Sequence, residues 1–169
     1  MNKLLIVVDM QKDFVTGVLG TKEAQAIVPA MIDYIQNFDG KIIFTRDTHD
    51  ENYLNTQEGQ KLPVVHCIKG TDGWEIISEL QPFIKDNDVY DKPTFGSLAL
   101  ADALRNNVYS EIQLCGVCTG ICVISNAMLA KAAQPDTPVK VLSKLCACVT
   151  PESHNTALEA MKTCQIDII

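Results

Sequence analysis

Glu111-Ile112-Gln113-Leu114-Cys115-Gly116-Val117-Cys118-Thr119-Gly120-Ile121-Cys122 is the stretch that decides the fold. Glu111 to Cys115 is an apolar run that reads as a strand. Gly116 begins a tight turn. Thr119 to Ala133 has small and apolar residues with helical character. Strand, turn and helix start thus follow one another, with a thiol in the first helical turn. A cysteine there feels unpaired backbone N–H groups and the positive end of the helix dipole. Both favour thiolate, the reactive form, and the same N–H groups suit a developing oxyanion. Cys122 therefore reads as a nucleophile. The alternative is a buried, inert cysteine.

Outward from this turn, strands and helices alternate. Lys3 to Val8 is a continuous apolar run without alternation, as in a strand buried on both faces, and Asp9 follows it. Ala24 to Phe38 reads as a helix with Pro29 near its first turn, ended by Asp39-Gly40. Lys41 to Thr45 is a second strand, followed by Arg46, Asp47, Thr48 and His49. Glu51 to Gly73 has little periodicity and reads as a long functional loop. Trp74 to Leu80 suggests a short helix stopped by Pro82. Asp88 to Asp91 is a third strand ending at Lys92, and Ser97 to Arg105 a helix. Val139 to Leu142 is a fifth strand. Thr150 as N-cap and Pro151 at N1 open a helix to Thr163, and Gln165 to Ile169 is a last strand. The pattern predicts one domain over 1–169, an α/β fold of three layers (α/β/α) with a doubly wound, mostly parallel sheet. In such folds ligands sit beyond the carboxyl ends of the strands. Asp9, Asp47, His49, Lys92 and Cys122 all fall at that edge.

The totals narrow the function. The chain has 169 residues and a net charge of −7, with no basic block, which argues against nucleic-acid and membrane surfaces. No export signal or membrane span is visible, so a cytoplasmic location is expected. Seven cysteines, an odd number without an export signal, point to reduced thiols rather than disulfides. No Gly-rich phosphate loop follows the first strand, which disfavours a nucleotide-binding domain.

Two groups of residues suggest chemistry. Asp9 is placed to accept the Cys122 proton, with Lys92 holding Asp9 ionised; the alternative is a structural salt bridge between strands. Asp47, His49, Glu58 and His66 suit a borderline divalent ion such as Zn²⁺, Fe²⁺ or Mn²⁺, the alternative being a solvated polar loop. His154 reads as a surface or capping residue.

These residues resemble the isochorismatase-like cysteine hydrolases, and within them the nicotinamidases. Val8-Asp9-Met10-Gln11-Lys12-Asp13-Phe14 is similar to the family's D-x-Q-x-D-F opening, and Gly116 to Val123 to its G-V-x-T-D-x-C-V nucleophile turn. The resemblance implies a catalytic triad of Asp9, Lys92 and Cys122. It also implies an oxyanion hole from the backbone N–H groups of Cys118 and Cys122, and a non-proline cis peptide at Val117–Cys118. It makes Asp47, His49, Glu58 and His66 ligands of one divalent metal, zinc first. The implied substrate is a small aromatic amide, nicotinamide, held near Phe14, Phe95 and Val117 and hydrolysed through a cysteine thioester. A homo-oligomer is implied too. Gly120 stands where the family usually has Asp, and Pro63 near where several nicotinamidases have an aromatic residue. Cys146, Cys148 and Cys164 receive no role. The other readings are a different isochorismatase-like hydrolase and a non-catalytic redox-sensing domain.

Overall fold

The computed structural model describes residues 2–85 and 88–169. Its sheet has six strands: β1 (Lys3–Val8), β2 (Lys41–Asp47), β3 (Val89–Lys92), β4 (Glu111–Val117), β5 (Val139–Ala147) and β6 (Asp167–Ile168). Their order is β3-β2-β1-β4-β5-β6, and every pairing is parallel. Leu4 to Val8 are all buried, so β1 is covered on both faces, as its unbroken apolar run requires. Strand order reverses between β1 and β4. At such a reversal the connections leave in opposite directions and open a crevice at the carboxyl edge.

The helices are α1 (Lys12–Val15), α2 (Lys22–Gln36), α3 (Gln57–Lys61), α4 (Leu98–Arg105), α5 (Ile124–Ala133) and α6 (Pro151–Thr163). Thr21 caps α2 by accepting from the Ala24 N–H, so the helix starts earlier than expected. Pro29 consequently lies inside α2 rather than in its first turn. It is exposed, where the helical hydrogen bond it cannot donate is replaced by water. Thr150 and Pro151 start α6 as expected, with Ser153 completing a reciprocal cap.

Trp74 to Leu80 is not a helix. Only Asp72–Trp74 forms a 3₁₀ turn. The chain then runs beside the loop after β1: Lys12 N donates to Glu75 O at 2.9 Å and Ile77 N to Met10 O at 3.0 Å. Trp74, Ile77 and Leu80 are buried at a spacing that imitates a helix, but Glu75 and Ile77 spend their backbone bonds on this neighbour and Leu80 N turns back to Ile77 O at 3.0 Å. The long segment before it is also more ordered than its sequence suggests. Thr56 caps α3, which carries Glu58.

Candidate active site and metal centre

Asp9 leaves β1 with φ +49°, a left-handed conformation that aspartate tolerates better than most residues. Its carboxylate is fully buried. Oδ1 accepts from Thr45 Oγ1 at 2.7 Å, and Oδ2 faces Lys92 Nζ at 2.6 Å. Lys92, the last residue of β3, is itself 1 % exposed. Its ammonium also meets Asp47 Oδ1 at 3.2 Å, Thr94 O at 3.1 Å and Cys122 Sγ at 3.6 Å. The carboxylate, ammonium and sulfur, from three different segments, therefore do converge.

The turn that carries Cys122 starts where β4 passes very close to β1. Gly116 has φ +116°, and a Cβ there would lie 2.1 Å from Val8 O, so only glycine fits. The Val117–Cys118 peptide is cis. Thr119 to Val123 form a π-turn before α5, with Val123 N bonded to Cys118 O at 3.1 Å. Asn126, buried in α5, donates to Cys122 O at 2.8 Å and Phe95 O at 3.1 Å, and accepts from Ser97 N at 3.0 Å. It ties the turn to the loop after Lys92. Neither Asn126 nor Thr45 stands out in the sequence; the signal was a polar residue inside an otherwise apolar element.

One expectation fails. Cys122 is not held as thiolate in the resting protein: burial, then the negative charge of Asp9, pushes its thiol well above the ordinary range, and Lys92 only partly opposes this. The cost of a buried charge exceeds what the helix end returns. Burial likewise raises Asp9, against the pull of Lys92. Lys92 is held protonated, raised by Asp9, Cys122 and Asp47 despite its own burial.

Asp47, His49, Glu58 and His66 meet beside this group, their nearest donor atoms all within 4.8 Å of one another. His49 Nε2 lies 2.9 Å from Asp47 Oδ2 and 3.7 Å from Glu58 Oε1, and His66 Nε2 3.6 Å from Asp47 Oδ2. His66 Nδ1 is hydrogen-bonded to Val64 O at 2.7 Å, which makes it the protonated nitrogen and leaves Nε2 a free lone pair. His49 Nε2 is buried and makes no hydrogen bond. Two imidazoles and two carboxylates with an orphaned buried nitrogen fit a divalent cation. Tyr53 packs on both imidazoles, with ring centroids 4.6 and 4.9 Å away.

Both groups open into one cavity of about 320 Å³. Phe14, Phe95, Leu62 and Ile121 wall it, and Asp47, Glu58, His66, Cys118 and Cys122 reach it. Val117 does not line it. That side chain is buried in the core beneath the turn, because it ends β4 with its side chain on the packed face. A wider groove of about 610 Å³ along α6 holds neither group. His154 is neither a cap nor a free surface residue: its Nδ1 is 2.8 Å from Thr119 Oγ1. Among the described residues no helix is long and apolar enough to cross a membrane.

Comparison with known proteins agrees with this geometry. The family model "Isochorismatase domain" matches residues 3–169. An isochorismatase family protein of Bacillus subtilis, PncA, is 33% identical over 144 residues, covering 76% of this chain and 78% of its own. The structure of a pyrazinamidase of Pyrococcus horikoshii in complex with zinc has a TM-score of 0.85 at 30% identity, covering 100% of this chain and 99% of its own. A pyrazinamidase/nicotinamidase of Streptococcus mutans UA159 has a TM-score of 0.86, also at 30%, covering 99% of this chain and 100% of its own. With sheet order, nucleophile turn and whole-length matches in accord, the chain belongs to the isochorismatase family.

Proposed function

We propose that this chain is a cysteine-dependent amidohydrolase of nicotinamidase type, converting nicotinamide to nicotinate and ammonia. One observation carries the reading: Cys122, with Lys92 at 3.6 Å, opens into the same apolar cavity as the Asp47–His49–Glu58–His66 cluster. The relatives named pyrazinamidase or nicotinamidase favour a small aromatic ring bearing a carboxamide, and Phe14 and Phe95 offer flat apolar walls to it.

Asp9 accepts the Cys122 proton as the sulfur attacks the amide carbon. Burial helps, because a carboxylate of raised proton affinity is a better match for a thiol. Lys92 stays protonated and keeps the carboxylate in place. The backbone N–H groups of Cys118 and Cys122 hold the oxyanion of the tetrahedral intermediate. The C–N bond breaks as Asp9 returns the proton to the leaving nitrogen, giving ammonia and a Cys122 thioester. Asp9 then deprotonates a water that attacks the thioester, and the carboxylic acid leaves as the thiol reforms. A divalent metal held by Asp47, His49, Glu58 and His66 supplies a Lewis-acid anchor for the ring end of the substrate. Zinc is favoured by the nitrogen–oxygen donor set and by the zinc complex of the Pyrococcus relative.

Ammonia release from nicotinamide is the test. Cys122→Ala should lower kcat by about 10³-fold or more, whereas Cys118→Ala, which keeps its backbone N–H, should retain most activity. Equal rates for Cys122→Ala and the unmodified chain would end the proposal.

A further inference from the structure

The metal-capable cluster comes from one stretch of chain, residues 47–66, and two side chains of the segment after β1 fasten its first and last members. Gln11 is fully buried. Its amide lies against the Asp47 peptide as a neighbouring strand would: Oε1 accepts from Asp47 N at 2.7 Å, and Nε2 donates to Asp47 O at 2.8 Å. The other Nε2 hydrogen goes to Trp74 O at 2.9 Å. At the far end, Asp13 Oδ2 accepts from Cys67 N at 2.8 Å, one residue beyond His66. Gly73 crowds the same carboxylate, since a Cβ there would lie 2.3 Å from its oxygens. Cys67 itself has φ +48°, a conformation that needs an external hold.

The geometry points to Gln11 and Asp13 as positioning residues that set the span of the Asp47–His49–Glu58–His66 cluster without being ligands. The inference rests on the metal reading above. Two carboxylates and two imidazoles whose donor atoms lie within 4.8 Å would separate if their backbones were loose. A cluster already at that spacing spares the ion the work of gathering it. Gln11 holds the end of β2, and Asp13 holds the return of the chain after His66. Both residues come from the segment after β1: Gln11 immediately precedes α1 and Asp13 lies within it.

The test uses the full chain stripped of metal. Zinc affinity is read by competition with a chromophoric chelator, and geometry by the visible spectrum of the Co²⁺ form. Gln11→Glu keeps the shape but turns an oxygen toward the carbonyls of Asp47 and Trp74. It should weaken zinc binding by about 10- to 100-fold and alter the Co²⁺ bands. Asp13→Ala should weaken binding in the same direction, and Asp13→Asn, which keeps an acceptor for Cys67 N, should restore most of it. A residue needed only for folding would lower the melting temperature of Asp13→Ala and leave the zinc affinity of its folded form unchanged. If Gln11→Glu does not fold, the Asp13 pair decides. Zinc affinity within twofold of the unmodified chain in folded Gln11→Glu and Asp13→Ala, with unchanged Co²⁺ spectra, overturns the inference while leaving the metal reading intact. Failure of the unmodified chain to bind zinc overturns both.

Discussion

Lys92 carries more of the site than its place at the end of a short strand suggests. It is the shared cation for Asp9 and Asp47, and the two carboxylates have burials of 0 % and 2 % exposure. Removing it leaves the buried Asp9 carboxylate without a cationic partner, while Asp47 keeps the two imidazoles; such a loss typically costs about 3–5 kcal/mol. Lys92→Met should therefore lower the melting temperature clearly as well as abolish turnover. With Asp9 as its one partner, as the sequence suggests, loss of Lys92 would cut turnover far more than stability; the contact with Asp47 raises the stability cost. Calorimetry beside an ammonia assay separates the outcomes. The convergence of Asp9, Lys92 and Cys122 was legible because each lies at or just beyond the carboxyl end of a strand. Thr45, Gln11 and Asn126 were not legible as partners. Apart from Asn126 to Cys122 O, four residues back, their hydrogen bonds join positions 29 to 63 residues apart, and nothing in local spacing encodes which polar atom a distant backbone group will find.

At the scale of elements, β4 and its turn depend on one glycine. Gly116→Ala forces a Cβ into Val8 O and an L residue into φ +116°. A loss of about 3 kcal/mol or more, or no soluble protein, is expected, and denaturant unfolding measures it. Helix α6 is clasped to the same turn through His154 and Thr119. Burial lowers the His154 pKa below 6.5. The folded state thus resists protonation, and the stability this clasp contributes is full above pH 6.5 and falls as pH drops below it. His154→Gln should flatten the melting temperature profile below pH 6.5; an unchanged slope would show that another group governs it. The strands were readable from continuous apolar runs. Trp74 to Leu80 misled because Trp74, Ile77 and Leu80 fall at helical spacing, whereas Ile76 is buried as well and Glu75 and Ile77 bond to the stretch after β1 rather than along a helix.

For the molecule as a whole, the sheet order brings Asp9, Lys92 and Cys122 together at the carboxyl edge, and under the proposed function a bound ion would tie Asp47, His49, Glu58 and His66 together beside them. Ligand at about 100 times its Kd stabilises a fold by about 2.7 kcal/mol. For a chain of this size that corresponds to about 5–10 °C. Chelation should lower the melting temperature by that amount, and zinc should restore it. Glu58→Ala should shrink the difference. The whole-chain fold was legible because alternation of strand and helix persists from end to end; how the 51–73 segment folds over the crevice was not, since its order comes from contacts with β2 and the loop after β1.

That loop also works as a caliper. Asp9 stands at one jaw, while Gln11 and Asp13 brace the other, with too few residues between for the jaws to slide. Under the proposed function the span from the metal-capable cluster to Asp9, and so to the sulfur Asp9 serves, is therefore preset. A homologue of the substrate with one methylene inserted between ring and carboxamide should bind within the apolar walls and yet react poorly, its carbonyl carbon carried past the point of attack.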